Sequence, residues 1–306
     1  MYLSARRKSL KTRKIIGLLI FLFGISLVTY PFLSMSIDDF TQYERNREFE
    51  EEISRDRHIN DKIKKLYDRR NRTKTSNTQT NSSNENIRDV FAGEDSVNIE
   101  KNDLRDLGIN LNKKVGFVSI PKLGQSFDLY LDANYEKIAK GVAVLSESDL
   151  PVGGKGKRTV IAGHSGYYNK VMFLNIHKLQ SGDSIIVNFL GKKIEYKVYG
   201  MEKIYPEQGD KLKPIESEDT LTLLTCTQAP RYDMRLLVNA RRVADNVQTN
   251  SVNNTIANDS IVEYISDKNV EPAIKIRKIF PYVISAFNII LIIIILLKLY
   301  RVIKSK

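Results

Sequence analysis

Residues 220–235 read TLTLLTCTQAPRYDMR, and they hold the only cysteine of the 306-residue chain. TLTLLTC is an apolar, β-branched run of strand character, Gln-Ala-Pro is a turn signal, and RLLVNARR opens a second strand. In a strand, Leu221, Leu223 and Thr225 face one way, and Thr222, Leu224 and Cys226 the other. The thiol therefore ends a strand, at a rim where substrate can reach it. A free cysteine is also commonly a small buried hydrophobe, and the run alone leaves both readings open. Arg235 follows Cys226 by nine positions. Antiparallel pairing of the two runs would set Arg235 beside Cys226. A permanent cation there lowers a thiol pKa and can hold an oxyanion, although a solvated strand-end arginine fits the same pattern. Arg231 lies mid-loop, and Arg241 and Arg242 lie further along the second strand.

Outward from this hairpin, residues 103–245 read as short runs rich in Val, Ile and Tyr, separated by Gly, Pro, Asn and Asp. KVGFVSIPKLG, QSFDLYLDA, KRTVIAGHSG and a hairpin turned at Leu-Gly-Lys-Lys are strand signals. NYEKIAKG and MFLNIHKL suggest short helices. Seven to eight strands with few helices predict a mostly β fold, a closed or partly closed β-barrel.

Three histidines are present. His58 falls in a charged stretch and His177 in a helical one. His164 closes the strand TVIAGH and is the natural acid/base partner for a thiol. A Cys, a His and an Arg at strand ends of one small β-domain point to acyl transfer through a thioester. Asp and Glu residues show no convergent ligand spacing, so no metal and no cofactor is expected.

The formal net charge of +12 is unevenly spread. Residues 1–14 carry six Lys or Arg and residues 298–306 carry four, with no acid in either tail. Each tail adjoins an uncharged run of 19 residues, Ile15 to Leu33 and Ile279 to Leu297. That is close to the ~20 residues a helix needs to cross ~30 Å of hydrocarbon. The cations orient both crossings with the termini in the cytoplasm and the β-domain outside. They also give the basic charge a topological role, which argues against nucleic acid as a partner. The expected organisation is a basic tail (1–14), a transmembrane helix (15–34) and an exposed, charged, weakly amphipathic helical region (35–72). A polar linker or degenerate lid (73–102) leads into the β-barrel (103–245). A linker (246–278), a second transmembrane helix (279–297) and a basic tail (298–306) complete the chain.

Over roughly residues 103–245 the chain resembles the sortases, transpeptidases of Gram-positive cell surfaces. TLLTC looks like the family's T-L-x-T-C segment, AGHSG like its histidine segment, and Arg235 stands where the family's arginine opens the next strand. The resemblance implies a sortase-type β-barrel. It assigns Cys226 as nucleophile and thioester carrier, His164 as general acid/base, and Arg235 to the substrate carbonyl and developing oxyanion. The stretch DLPVGGKGKRTVIAGHSG, the short Cys-to-Arg spacing and the C-terminal apolar segment look like class C, the pilin-polymerising sortases. Cleavage of an LPxTG-like sorting signal between Thr and Gly would then be followed by transfer to a pilin lysine amine. Attachment of surface proteins to a cell-wall peptidoglycan amine, a Cys-His hydrolase and a non-catalytic tethered binding domain are the alternatives. Thr225 either contacts substrate or packs, and Tyr167, Tyr168 and Arg231 are candidates for the groove. Many class C enzymes carry a lid with an Asp-Pro-aromatic tripeptide. Residues 73–102 hold none, and IRDVFAGED (87–95) in the corresponding place is a poor match, so this region reads as a polar linker or a degenerate lid.

Overall fold

The structure, a computed structural model, describes residues 2–80, 89–92, 109–167, 170–227, 232–243 and 272–304. Eight strands form a closed barrel: β1 (Gly116–Ile120), β2 (Gln125–Leu131), β3 (Val142–Val144), β4 (Lys157–Ala162), β5 (Ser184–Phe189), β6 (Lys192–Ile204), β7 (Asp219–Cys226) and β8 (Arg235–Arg242). Their order around the barrel is β1-β2-β3-β4-β7-β8-β6-β5, and β5 pairs with β1 to close it. The pairs β2/β3 and β4/β7 are parallel; the others are antiparallel.

The strands that carry the motifs are buried on both faces. Leu221 and Leu223 of β7, Ile161 of β4 and Val238 of β8 join Phe127, Leu129 and Phe189 in one cluster. Val160, Ala162, Leu224 and Leu237 belong to a second cluster with Ile138 of the short helix that follows β2. Two-sided burial is why these strands read as near-continuous apolar runs rather than alternating ones. Each Leu, Ile or Val side chain taken from water in this way contributes about 1.5–3 kcal/mol. The β5–β6 hairpin turns at Leu190 and Gly191, both at positive φ (47° and 83°), as a two-residue turn that matches strand twist requires. Gly191 is doubly constrained, because a Cβ there would lie 2.7 Å from Ile53 Cγ2.

The helices depart from the expected boundaries. Helix α1 runs Tyr2–Arg55, α2 Ile59–Thr80, α3 Tyr135–Lys140 and α4 Pro272–Lys304. Helix thus extends through the expected tail (1–14), into the expected linker at 73–80, and over 272–278. Residues 81–88, 93–108 and 244–271 lie outside the described residues. The chain divides into two compact units, residues 1–41 with 272–306 and residues 42–271.

Within the second unit, the charged region read as exposed is part of the packed domain. Phe49 is buried with Phe117 and Ile186. Leu66, only 1% exposed, enters the main core. Asn46 donates to Ser126 Oγ (3.0 Å), Gln42 to Asp128 (2.9 Å), and Asn188 to Glu50 (2.8 Å). One stripe of apolar residues among many charges had pointed to a solvated helix, but a narrow stripe is enough when the polar neighbours find partners on the barrel.

Among the described residues, two helices are long and apolar enough to cross a membrane, in Thr12–Arg55 and Lys278–Lys304. Phe32 and Phe280 meet edge to face at 6.0 Å. Asp39 accepts from the Tyr282 hydroxyl (2.9 Å) and pairs with Lys278 (3.4 Å). The Thr29 and Ser36 hydroxyls donate to carbonyls one turn back, so neither is left unsatisfied.

Leu66→Ala should cost about 2–5 kcal/mol, the range for a fully buried leucine, against under ~0.5 kcal/mol for an exposed helix position. Urea unfolding of the detergent-solubilised chain, followed by a spectroscopic signal from the barrel, reads the difference.

Candidate active site

Backbone register assembles the site. β4 and β7 run parallel with Ala162 opposite Leu224. The ladder continues one step as Gly163 N–H donates to Leu224 C=O (3.0 Å), so His164 reaches the level of Cys226. On the other side of β7, Cys226 lies directly opposite Arg235. Thr227 N–H to Met234 C=O (3.0 Å) holds the hairpin mouth closed. Adjacent strands lie about 4.8 Å apart. His164, Cys226 and Arg235 therefore occupy one level at neighbouring strand ends, with Cys226 in the middle.

A polar knot lies further down the same sheet face. Arg158 of β4, 4% exposed, donates to Thr222 Oγ1 of β7 (2.9 Å) and Asn239 Oδ1 of β8 (2.8 Å). It also donates to the carbonyl of Lys211 (2.6 Å), in the turn before β7. A buried cation must be fully hydrogen-bonded, and meeting that demand ties together the three strands that carry His164, Cys226 and Arg235.

Two further residues enter from the segment before the barrel. Asp89 accepts from Arg235 Nε at 3.0 Å and forms a second charge-assisted bond with Nη2. The two parallel N–H donors on one carboxylate make a bidentate pair. The Phe91 ring lies 5.3 Å from the guanidinium carbon and 6.0 Å from the His164 ring. Val90 between them is buried in the outer cluster. Residues 89–92 hence pack against Arg235 and His164, although the Asp-Pro-aromatic tripeptide is missing. Val90 occupies the place of the proline, and the acid and the aromatic keep their spacing of two. Spacing of Asp and Phe, rather than the tripeptide, was the usable signal.

Two tyrosines complete the surroundings of His164. Tyr167 stacks on the imidazole at 4.8 Å and 15° between planes, and Tyr135 meets it edge-on at 5.3 Å. Tyr167 was among the groove candidates, whereas Tyr135, at the start of α3, gave no sequence signal. Tyr168 and Arg231 lie outside the described residues. Thr225 is 1% exposed. It alternates away from Cys226, so in this structure it packs inside the barrel instead of lining the groove. Arg241 and Arg242 sit at the far end of β8, engaged with Glu218 and Asp219. His177 bonds the Leu174 carbonyl (2.9 Å). Among the described residues, no three His, Cys, Asp or Glu side chains converge as metal ligands would.

Electrostatics favours neutral forms of the pair here. Burial pushes the Cys226 thiol up from its ordinary value. Arg235 opposes that rise, and the Asp89 carboxylate adds to it. Burial pushes the His164 imidazole down. Asp89 thus neutralises the cation that would otherwise favour thiolate.

Known proteins share this arrangement of strands. The family model described as Sortase domain matches residues 118–243. Sortase A of Bacillus anthracis is 26% identical over 147 residues, 47% of this chain and 68% of that protein. Among solved structures, sortase C-3 of Streptococcus pneumoniae superposes with a TM-score of 0.59 at 28% identity, covering 69% of this chain and 97% of its own. Sortase C1 of GBS Pilus Island 1 gives a TM-score of 0.56 at 27% identity, covering 67% and 98%.

Asp89→Asn removes the carboxylate that raises the Cys226 pKa. The pH profile of Cys226 alkylation by iodoacetamide should move to lower pH. A thiol pKa lower by one gives about tenfold more thiolate at a pH well below it. An unmoved profile would show that the carboxylate does not act on the thiol.

Proposed function

The chain belongs to the sortase family of cysteine transpeptidases, and from that premise we propose that it joins pilin subunits at the cell surface. Cys226 is the nucleophile, His164 the general acid/base and Arg235 the electrostatic clamp. The observation that carries this reading is the shared backbone level of the three residues at the ends of β4, β7 and β8.

The substrate is a sorting signal of LPxTG type. His164 takes the Cys226 proton, and the thiolate attacks the carbonyl carbon of the signal's threonine. Negative charge moves to the carbonyl oxygen, beside the Arg235 guanidinium, where a fixed cation stabilises it without reorganisation. Collapse of the intermediate breaks the Thr–Gly bond. The imidazolium gives its proton to the departing glycine amine and leaves an acyl thioester on Cys226. A lysine amine of the next pilin then attacks and loses a proton to His164, while the thiolate departs and is reprotonated. An isopeptide bond and free thiol result. Apolar walls from Tyr135 and Tyr167 favour an amine over water as the resolving nucleophile. Asp89 holds Nε and Nη2 of Arg235, and the Tyr232 and Met234 carbonyls hold Nη1; the guanidinium meets the substrate oxygen only when the 89–92 segment withdraws before acylation. The neighbour from a pilus island supports the pilin acceptor over cell-wall peptidoglycan.

The two apolar helices anchor the enzyme. The cation-rich tails keep both ends of the chain in the cytoplasm, which leaves residues 42–271 outside. The catalytic module is the 103–245 barrel together with the helical residues 42–80 that pack on it.

The full chain in detergent, incubated with a Leu-Pro-x-Thr-Gly peptide, should form a covalent adduct visible by mass spectrometry. Cys226→Ala should abolish the adduct. His164→Gln should slow its formation about 10²–10⁴-fold, and Arg235→Gln about 10²–10³-fold. Adduct on Cys226→Ala would remove the mechanism. Added pilin giving no boiling-resistant ladder, where a peptidoglycan amine is accepted, would remove the pilin assignment alone.

A further inference from the structure

A general base must be held in one orientation, and in Cys-His enzymes a carboxylate or amide commonly holds it by hydrogen bonding. His164 is held otherwise. Its Nε2 is buried with no hydrogen-bond partner, and no carboxylate bonds or ion-pairs with the ring, among the described residues. Aromatic rings surround it instead. Tyr167 lies face to face at 4.8 Å and 15°, Tyr135 edge-on at 5.3 Å and 77°, and Phe91 tilted at 6.0 Å and 59°.

These contacts have different owners. Phe91 belongs to the segment that shields the site. Tyr135 opens α3 and is 57% exposed. Tyr167 sits three residues after His164 and is held by its own backbone. Its N–H donates to the Lys170 carbonyl (2.9 Å), and the Lys170 N–H returns the bond to the Tyr167 carbonyl (2.8 Å). Phe173 N–H donates to the His164 carbonyl (2.9 Å), which closes the loop behind the imidazole. The stack is therefore local to one short loop and stays when the 89–92 segment withdraws.

We propose that Tyr167 is the positioning residue for His164, with its ring face fixing the imidazole plane and stabilising the imidazolium that forms when Cys226 is deprotonated. This inference rests on the acid/base assignment above and specifies how the base is held without a carboxylate. Two physical effects support it. A ring stacked at this distance and near-parallel angle restricts rotation about the His164 side-chain bonds. A phenol face is also electron-rich, and it attracts a cation placed over it. Burial opposes imidazolium formation, so a partner that favours the charged form offsets part of that cost.

The other groups facing the imidazole do not take this role. Cys226 is its reaction partner. Arg235 repels an imidazolium, and Asp89 is paired to Arg235. Tyr135 stands nearly perpendicular to the imidazole, at 77°, and is 57% exposed. The Lys170 ammonium points to the Lys140 carbonyl (3.5 Å).

The test uses the full chain in detergent, with a Leu-Pro-x-Thr-Gly peptide and nitrogen-15 histidine NMR. Tyr167→Leu should lower kcat about tenfold with KM nearly unchanged, and lower the His164 imidazole pKa by about 0.5 to 1. Tyr167→Phe keeps the ring and should recover most of both. Tyr135→Leu should change the pKa far less. An unchanged imidazole titration in Tyr167→Leu, or a rise in KM with kcat intact, overturns the proposal. So does Tyr167→Phe behaving like the leucine variant. His164→Gln separates the two levels of argument. Full activity in that variant removes the acid/base assignment, while the NMR titration still reports whether Tyr167 tunes the ring.

Discussion

The in-register pairing of β7 with β4 on one side and β8 on the other decides what this molecule can do. Cys226, His164 and Arg235 are strand-end residues from three different strands, and none would meet another without that pairing. Hydrogen-bonded ladders fix strand spacing at about 4.8 Å. A slip of one residue would turn Cys226 toward the barrel interior and Thr225 toward the groove. The sheet face below the trio resists such a slip. Val160, Ala162, Leu224 and Leu237 are buried there against α3, and Arg158 is satisfied only if β4, β7 and β8 keep their mutual register. Packing energy is thereby converted into geometric precision at the thiol.

The same closeness creates an electrostatic tension. A thiol and an imidazole buried together are both driven toward neutrality, which is safe for storage and poor for reaction. Arg235 pulls the thiol toward thiolate, but its Nε and Nη2 donors are occupied by Asp89 and its Nη1 by the Tyr232 and Met234 carbonyls. Arg235 and Asp89 are equally buried, each side chain 9% exposed, so the pair is sheltered from the screening that weakens surface ion pairs. One carboxylate therefore both shields the guanidinium and opposes the Cys226 thiolate.

Much of this was legible in the residues, for identifiable reasons. Short β-branched runs ending in Cys226 and His164 marked strands, and the hairpin brought Arg235 to the thiol by chain geometry alone. The two apolar helices followed from length and charge. Other features escaped because they depend on partners far away in the chain. The helical region after the first apolar segment looked solvated, since nothing in its own charges shows that Phe117, Ile186 and Ser126 wait across space for Phe49 and Asn46. Asp89 and Phe91 were hidden by the expectation of a proline between them, although the chemistry needs only the acid and the ring. Tyr135 was invisible because an exposed tyrosine at a helix start has no local signature of function.

The parallel contact between β4 and β7 joins residues 62 apart, as in Lys157 with Asp219. Closing a loop of that length costs roughly 4 kcal/mol of chain entropy before any contact compensates, and such non-local pairings form slowly. A newly made chain can wind its helices and close the β5–β6 hairpin early. Its sulfur reaches the level of the imidazole only once β4 and β7 pair. Chemical competence thus waits on the β4–β7 pairing, so a copy in which those strands have not met carries the parts of a transpeptidase without their juxtaposition.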